Sequence, residues 1–588
     1  MGLLQKALET YDTLEARAGI YEADWEPLAP IGHIVTKAQV EITIDADGNF
    51  IEARLAEKDR KIIIPVTEAS AGRTSNPVAH PLCEQLGYLL GDDKEKFTLY
   101  TDALRKWVQS DYRHPKAEAV LRYVESMTML ADLTDFGLSA LKEKDLVCWR
   151  VIGLGETSGP VWTDIDLMKA YTDYYLSHRE GEPKLCMLTG EITKTTSQHL
   201  KGAFALKGNA KIISSNDSSN FTYRGRFLEP EDAATVGYIA SQKAHNTLKW
   251  LISNQGTIQG GRAFVCWNPQ GKAVYDPTAP LPPSSEHKPE PRTFRDYQAD
   301  LEKTIQGYQQ NWPSFAQVVI AAFDAATTGR LAITYYNELL GSDFLERLAC
   351  WDETCCWKDT YRGVRTPLLY QIIAYAFGTP RGSDSKVEPD EKLVAPQMQR
   401  LLACRIDQAA FPLDMMQAIV ARAEHLQNYK DAYQRNALLF TACAVIRKYA
   451  IDHQKEAVDL VLEPQRKDRS YQWGRLLAVM EKIERDTYDK DEKRETNAIR
   501  MQAMFVRRPA YAFKVVMEQL KVAYYPHLLV GSRIYYERLI AEIMEQLAQD
   551  MDDYAKPLTE MYLPGYYLQK SALYPQKKSE TEAIDDEV

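Results

Sequence analysis

The amino-acid sequence predicts an α+β protein, in which a mixed N-terminal portion with mostly antiparallel strands is followed by an α-helical C-terminal bundle. Strand-like segments bounded by turn residues recur in the N-terminal part, whereas nearly every segment from about 337 to 575 has helical period. Residues 276–293 (DPTAPLPPSSEHKPEPRT) are Pro-rich and polar, which is typical of a linker or a long loop. This separation of strands from helices favours the α+β class.

The first predicted elements are a helix and a β-hairpin. The apolar residues of 1–16 fall on one helical face, and VTKAQVEITIDADGNFIEARL then predicts two strands joined by a turn at Asp47-Gly48. A further strand is predicted at Lys61–Val66, after a short basic loop.

Helices and strands then alternate up to about residue 336. DLVCWRVIGLGETSGPVW, at 146–163, predicts two strands around a glycine-rich turn, and FAQVVIAAFDAATTGRLAITYY predicts two more. Between these pairs we expect a strand-rich region at about 200–215 and a strand at Ala263–Trp267. The predicted helices of this part lie at about 95–112, 116–130, 165–178 and 231–254.

A chain of 588 residues is too long for one hydrophobic core, so we expect several domains. The predicted boundaries are an N-terminal α+β domain at 1–130, a second α+β part at 131–275, the linker or loop at 276–293, a transition from α+β to helical structure at 294–400, and the helical bundle at 401–588.

Composition predicts a cytoplasmic protein without a membrane anchor. The sequence contains no 18-residue apolar run, and its nine cysteines have no framework spacing, which fits a reducing compartment. The formal net charge of −11 argues against a protein that binds nucleic acid through overall basic charge, although local basic patches can still do so.

Motifs for catalysis, metals and cofactors do not occur. There is no P-loop, and the glycines of Gly153–Gly159 lie between strand-like segments, which favours a hairpin turn over a phosphate loop. No H-E-x-x-H or H-x-H occurs, and His80 and Cys83 have no second pair nearby, so a turn or core packing is favoured over zinc. We therefore predict no enzyme activity, no metal and no cofactor. The alternative is a nuclease whose metal ligands are carboxylates dispersed along the chain.

One candidate binding segment is the loop Ala71–Pro77. Arg73, Thr74, Ser75 and Asn76 offer hydrogen-bond donors and acceptors that suit phosphates and base edges when the backbone is rigid. The structural alternative is a capping turn that leads into a helix at about 82–90.

Two further segments carry cations. Lys58, Arg60 and Lys61, with Arg54 nearby, could lie along a phosphate backbone, or could be solvated charges that protect an edge strand. The segment Ser214–Arg226 interleaves aromatic and basic residues and leads into a helix, which suits unstacked nucleotides, or else its aromatic residues belong to the core. The candidate residues of this segment and its helix are Asn220, Tyr223, Arg224, Arg226 and Lys243.

The order of several short motifs resembles the large subunit of type I-C CRISPR interference complexes (Cascade). The motifs follow one another in this order: GRTSNP with HPLC, CMLTGE at 186–191, SSNDSSNFTYRGRF with ASQKAHNTL, TTGRLAI and WGRLLAVMEKIE. The resemblance spans nearly the whole chain. Each motif alone is weak, but their shared order is fairly specific.

The resemblance implies a non-catalytic subunit of a ribonucleoprotein. Such a subunit would recognise the protospacer-adjacent motif in double-stranded target DNA, promote strand separation directed by the crRNA, and help recruit a helicase-nuclease in trans. Its partners would be the crRNA and the Cascade backbone and handle-binding subunits. A third hypothesis is a scaffold that joins protein subunits and never contacts DNA.

Carried over by residue, the resemblance makes Arg73–Asn76 the loop that reads the motif, and it places Lys58, Arg60 and Lys61 on the flanking phosphates. Arg224 and Arg226 would contact guide or displaced strand. The helical region resembles a Cascade small subunit, which such systems make by internal translation of the same gene. No methionine lies between Met416 and Met480, so an internal start would use a non-ATG codon at a valine or leucine before residue 470. The residues expected along single-stranded DNA are Arg466, Lys467, Arg469, Arg475, Arg507, Arg508 and Lys514.

Overall fold

The computed structural model describes residues 2–574 except 59, 74–75, 139, 205–207, 215–226, 229, 284–290, 292, 311–315, 328, 382–385, 430, 490–491, 493 and 549–553. The chain divides into two compact units. The N-terminal unit comprises Met1–Val274 and Ala316–Leu339, and the C-terminal unit comprises Tyr275–Phe315 and Leu340–Val588. Strands lie mostly in the first unit and helices dominate the second, so the predicted α+β class is confirmed.

The N-terminal unit contains two four-stranded sheets, smaller sheets and the helices that cover them. Its helices are α1 (Leu3–Leu14), α2 (Glu68–Gly72), α3 (Leu86–Leu89), α4 (Lys94–Val108), α5 (Pro115–Glu125), α6 (Met129–Asp135), α7 (Ile165–His178), α8 (Pro230–Ala233) and α9 (Tyr238–Gln255). Its strands are β1 (His33–Lys37), β2 (Val40–Asp45), β3 (Phe50–Leu55), β4 (Lys61–Pro65), β5 (Val147–Ile152), β6 (Gly159–Pro160), β7 (Pro183–Leu185), β8 (Ile192–Thr196), β9 (Val236–Gly237), β10 (Thr257–Gln259), β11 (Arg262–Trp267), β12 (Gln317–Thr327) and β13 (Arg330–Leu340).

The predicted hairpin is confirmed as β2 and β3. The Asp45 carboxylate accepts hydrogen bonds from the backbone N–H groups of Asp47 and Asn49 at 2.9 and 2.8 Å. Gly48 has φ of +86°, and a Cβ there would lie 2.9 Å from the carbonyl oxygen of Ala119. Glycine is therefore required both by the turn and by the close approach of α5.

The first sheet has the order β3-β2-β5-β6, in which β2 and β5 run parallel and the other pairs are antiparallel. Because side chains alternate along a strand, Val40, Ile42 and Ile44 point into the core, together with Trp149 of β5. Glu41, between two of these core residues, points to the other face and yet is buried. A carboxylate buried in this way requires partners.

The second sheet, β10-β11-β12-β13, is covered by the first helix and by α9. Ala7 of α1, Leu248 of α9 and Trp267 of β11 belong to one hydrophobic cluster. β1 and β4 form a separate antiparallel pair, which leads directly into α2 and the loop after it.

The C-terminal unit is mainly helical. Its helices are α10 (Phe294–Gln309), α11 (Gly341–Thr354), α12 (Leu369–Phe377), α13 (Glu391–Ile406), α14 (Leu413–Ala423), α15 (Ala432–Asp452), α16 (Arg469–Arg485), α17 (Asn497–Arg500), α18 (Gln502–Arg507), α19 (Pro509–Gln519), α20 (Val530–Leu547) and α21 (Tyr562–Leu573). Two small hairpins interrupt them, formed by β14 (Trp357–Asp359) with β15 (Gly363–Arg365) and by β16 (Thr379–Arg381) with β17 (Lys386–Glu388).

Two glycines bring α16 and α21 into backbone contact. A Cβ on Gly474 would lie 1.9 Å from the carbonyl oxygen of Tyr562, and one on Gly565 would lie 2.1 Å from that of Tyr471. Close crossing of the two helices therefore requires residues without a side chain at both positions.

The first residues of the Pro-rich stretch are packed. Arg405 of α13 donates hydrogen bonds to the carbonyl oxygens of Pro277 and Ala279, at 3.0 and 2.5 Å, and to Asp352 at 3.0 Å. The backbone N–H of Leu281 also donates to Asp352. Residues 277–281 are thus held by a buried ion pair, and residues 284–290 lie outside the described part of the chain.

Several local predictions are wrong. The helix expected at 116–130 is split into α5 and α6 at Met127, whose φ is +56°. The described residues of 200–215 contain isolated bridges but no strand. The hairpins β14–β15 and β16–β17 lie within the predicted transition at 294–400, where nearly every segment from about 337 onward has helical period in the sequence. Within the described residues, no helix is long and apolar enough to span a membrane.

Candidate nucleic-acid interface

The predicted reading loop follows a short, well-capped helix. The Thr67 hydroxyl accepts a hydrogen bond from the backbone N–H of Ser70 at 3.0 Å, and the Ser70 hydroxyl accepts one from that of Thr67 at 2.9 Å. This capping box fixes the start of α2, whose last residue is Gly72. The chain therefore enters the loop from a defined position.

Glu84 anchors the base of this loop. Its buried carboxylate accepts hydrogen bonds from Arg73, at 2.5 Å from Nη1 and 2.7 Å from Nη2, and from the backbone N–H groups of His80 and Gln85, both at 2.6 Å. Arg73 also donates to the carbonyl oxygen of Val78 at 2.7 Å. One carboxylate thus joins the two ends of the segment from 73 to 85, which restricts the loop between them.

The side chains of the loop have different environments. The Arg73 guanidinium is directed inward onto Glu84 and lies over the Tyr88 ring, 5.1 Å from its centroid. Asn76 is exposed, and Thr74 and Ser75 lie outside the described residues. The helix that follows, α3, begins at Leu86, and its N-cap Gln85 makes no side-chain capping hydrogen bond.

The cations of the hairpin region converge on Glu41. Its carboxylate accepts hydrogen bonds from Arg54, Arg60 and Arg150 at 2.9, 2.8 and 2.8 Å, and we call these four residues the Glu41 cluster. Burial raises the pKa of Glu41, but the hydrogen bonds from Arg54 and Arg150 outweigh it, so that the pKa is lowered and the carboxylate is ionised at neutral pH.

The Glu41 cluster leaves positive charge near the surface. The side chains of Arg54, Arg60 and Arg150 are 54%, 21% and 31% exposed, and a single buried carboxylate cannot neutralise three guanidinium groups. The exposed Glu57 pairs with Arg60 at 2.7 Å, and Glu52 also acts on Arg54, so these two carboxylates offset part of this charge. The Trp162 ring lies beneath Arg60 and Arg150, at 5.8 and 5.9 Å from its centroid, and supports both by cation–π contact.

The two predicted lysines of this region differ. Lys58 is exposed, whereas Lys61 forms an ion pair with Glu26. Lys243, predicted from the third segment, forms ion pairs with Asp12 of α1 at 2.7 Å and with Glu15, just after α1, at 3.1 Å. The remaining residues predicted there lie outside the described part of the chain; they are Asn220, Tyr223, Arg224 and Arg226.

The cations predicted in the helical region fall into two groups. Arg475 is 3% exposed and donates hydrogen bonds to Gln569, Gln472 and the Pro464 carbonyl. Arg466 is also buried and pairs with Glu463. The exposed group consists of Lys467, Arg507, Arg508 and Lys514. Arg469 is half-buried and donates hydrogen bonds to the carbonyl oxygens of Lys556 and Pro557 at 2.8 and 2.7 Å.

Sequence reasoning missed Glu41, Glu84, Arg150 and Trp162. The signal for Glu41 was present, because it interrupts a run of apolar β-branched residues at a position that faces away from the core. The contribution of Arg150 depends on the parallel pairing of β5 with β2, more than 100 residues away in sequence, which local patterns do not reveal.

His80 and Cys83 are both buried, as expected for core packing, and His80 Nδ1 lies 3.0 Å from the Ser70 hydroxyl. In the described ranges no group of three or more His, Cys, Asp and Glu side chains is placed to hold a metal ion.

Comparison with known proteins identifies the family. The family model described as CRISPR-associated protein (Cas_Csd1) matches residues 8–574, which is nearly the whole chain. No curated protein matches significantly. The family match covers both units, including the anchored loop and the Glu41 cluster. The chain belongs to the Csd1 family of CRISPR-associated proteins.

Proposed function

We propose that this protein is the large subunit of a type I-C CRISPR Cascade surveillance complex, which recognises the protospacer-adjacent motif in duplex DNA, promotes crRNA-guided strand separation and helps recruit a helicase-nuclease. The observation that carries the proposal is the loop whose two ends Glu84 holds together and whose exposed residue is Asn76. Family membership and the order of the motifs support it.

In this proposal Asn76 reads a base edge and Arg73 positions it. An asparagine amide can donate and accept at once, which suits the N6 and N7 atoms of adenine, and a good bidentate contact discriminates by about 1–3 kcal/mol. Arg73 is assigned a positioning role because its guanidinium is already bound to Glu84. Thr74 and Ser75 remain candidate readers in the same loop.

The Glu41 cluster is proposed to contact phosphates, together with Lys58 and Lys61. Its partly exposed guanidiniums are held by Glu41, so little side-chain entropy remains to be lost on binding. Such contacts add affinity without sequence preference and make binding sensitive to salt. Guide pairing would then supply the sequence specificity of the complex, by analogy with other RNA-guided nucleases.

The helical unit is proposed to supply a small subunit through internal translation. A start at Met480 would remove the first part of α16, including Gly474, and would break its contact with α21. A start between α15 and α16, at Val458, Leu460, Val461 or Leu462, would keep α16 and its contact with α21 intact. In this proposal the exposed Arg507, Arg508 and Lys514 contact single-stranded DNA, whereas the buried Arg466 and Arg475 are not included.

The reading role is tested by Asn76→Ala in the assembled complex, using mobility shifts with motif-bearing and motif-scrambled duplexes. We expect motif-dependent binding to weaken by about 1–3 kcal/mol, since one base contact is lost, while assembly and scrambled-duplex binding stay unchanged. Gln109→Ala, at an exposed position of the same unit, is the matched control.

Arg73→Ala is expected to cause a similar loss of motif-dependent binding, accompanied by lower protection of backbone amides 73–85 in hydrogen exchange, because the loop loses its anchor. Equal loss on both duplexes would reassign the loop to general DNA affinity, and no loss on either would remove it from the interface. Crosslinking to photoreactive DNA distinguishes this function from a protein scaffold. Cleavage of labelled DNA with Mg²⁺ or Mn²⁺ that disappears on a carboxylate substitution would favour the rival nuclease.

A further inference from the structure

A second feature of the N-terminal unit is a cavity of about 250 Å³ next to the anchored loop. It is lined by β1, by Ala71 at the end of α2, by residues 200–203 and 208, and by α9. The polar lining residues are Thr36, Lys201, His245, Asn246 and Lys249, and no Asp or Glu is among the described residues around it. The lining thus carries two cations and no anion, and the carboxylate that acts on Lys249 is Glu26, outside the lining.

Both lysines of the cavity bind backbone carbonyls. Lys249 Nζ donates to the carbonyl oxygen of Val35 at 2.6 Å, and Lys201 Nζ donates to that of Arg73 at 2.8 Å. Neither ammonium group has a carboxylate partner within the described part of the chain. A carbonyl uses one of the three N–H donors of each lysine, so further donors remain available for an anion.

Burial lowers the pKa of Lys249, although the Glu26 carboxylate offsets part of this shift. Burial also lowers the pKa of Lys201, and the neighbouring Lys211 and Arg73 lower it further. Burial is therefore the main cause for both lysines, and an anion bound beside them would offset its cost.

His245 supplies an unused polar atom. The residue is buried, its Nδ1 lies 2.7 Å from the carbonyl oxygen of Ser241, and its buried Nε2 has no hydrogen-bond partner among the described residues. A buried ring nitrogen without a partner is costly, so its place in the lining of a cationic cavity points to a ligand.

We propose that this cavity binds one phosphate group of the target duplex between Lys201, Lys249 and His245. The identification of the ligand as duplex DNA rests on the proposed function, whereas the chemistry of the site would also suit free phosphate. Because Lys201 holds the carbonyl of Arg73, the bound phosphate would fix the register of the loop on the DNA. Phosphate contacts position a protein in this way, while base contacts specify sequence.

The site itself is tested first with the full-length chain and inorganic phosphate. We expect phosphate to raise the Tm of the wild type more than chloride does at equal ionic strength, with half or more of this difference lost in Lys201→Gln and in His245→Gln. Lys169→Gln, on the exposed surface of α7, is the matched control and should retain the full difference. An equal phosphate effect in all four proteins, or none in any, would overturn the site.

The DNA ligand is tested with the assembled complex and motif-bearing duplex. Losing one phosphate contact reduces the salt slope by about 0.9, so the ratio of affinities at 50 and 200 mM salt should fall about 3.5-fold in Lys201→Gln. Replacing a single phosphate of the duplex with a neutral methylphosphonate should, at one position, reduce the salt slope of the wild-type complex by the same amount. At that position it should cause no further reduction in the Lys201→Gln complex.

The outcomes separate the two proposals. A wild-type complex without motif-dependent binding would reject the proposed function, even where the phosphate effect on Tm is present. The DNA phosphate site would be rejected if motif-dependent binding persists together with two results. These are an unchanged salt slope in Lys201→Gln and the absence of any position at which a methylphosphonate has the same effect as this substitution. A phosphate effect on Tm in that case would assign the cavity to free phosphate.

Discussion

Arginines are used differently in the two units of this protein. In the N-terminal unit, Arg54, Arg60 and Arg150 converge on one buried carboxylate and remain partly exposed. In the C-terminal unit, Arg475 is enclosed by a carbonyl and two glutamine side chains. The guanidinium group has five N–H donors, so both environments satisfy it, but only the first leaves charge near the surface.

The comparison teaches that the number of cations in a segment does not indicate a nucleic-acid interface. Arg466, Lys467, Arg469 and Arg475 form the densest basic run predicted in the helical region, yet the first and last of these are buried. Arg54, Arg60 and Arg150 differ from these residues because each binds the buried Glu41 carboxylate and is also partly exposed to solvent. Three substitutions test this distinction, in order of decreasing expected effect.

Arg475→Ala should cause the largest change. It leaves the side-chain amide oxygens of Gln569 and Gln472 without their arginine donor inside the bundle, so we expect the free energy of unfolding to fall by about 2–4 kcal/mol. Chemical denaturation followed by circular dichroism measures it. Arg507→Ala, at an exposed position, is the control and should change stability by less than about 0.5 kcal/mol. Equal effects of the two substitutions would contradict the structural assignment.

Glu41→Gln should have an intermediate effect. The neutral amide weakens hydrogen bonds to three guanidiniums and leaves them close together, so stability should fall by about 1.5–3 kcal/mol. Affinity for non-specific DNA should rise, because one negative charge is removed from beneath the cluster. Denaturation and mobility shifts on scrambled duplex measure the two quantities. Unchanged stability would contradict the role of Glu41 in holding the three arginines, and unchanged affinity for scrambled duplex would place the cluster away from the DNA.

Arg150→Gln should have the smallest effect on stability, under about 1 kcal/mol, because the arginine is partly exposed and Glu41 keeps two partners. Its effect on the complex should appear as a salt slope reduced by about 1, equally for motif-bearing and scrambled duplexes. Titrations at several salt concentrations measure this slope. A loss confined to the motif-bearing duplex would instead make Arg150 a base-reading residue.

The sequence predicted the candidate segments better than it predicted the roles of their residues. The loop at 71–77 and the basic hairpin were both selected as unusual, and the structure holds each of them with a buried glutamate. The role of Arg73, however, could not be predicted, because its partner Glu84 lies eleven residues further along an irregular segment. The cavity at Lys201 joins residues from β1 and α9, more than 200 positions apart, and no local pattern indicates it.

The sequence by itself determined the α+β class, the β2–β3 hairpin, the long helices of the C-terminal unit and, through the order of its motifs, the resemblance that the Csd1 match supports. These features depend on local periodicity and turn chemistry, which neighbouring residues encode directly. Only the tertiary structure decided which cations are buried, which carboxylates hold them and where a cavity remains. Those properties depend on contacts between distant segments, because the energy of a charge is set by what surrounds it in space rather than along the chain.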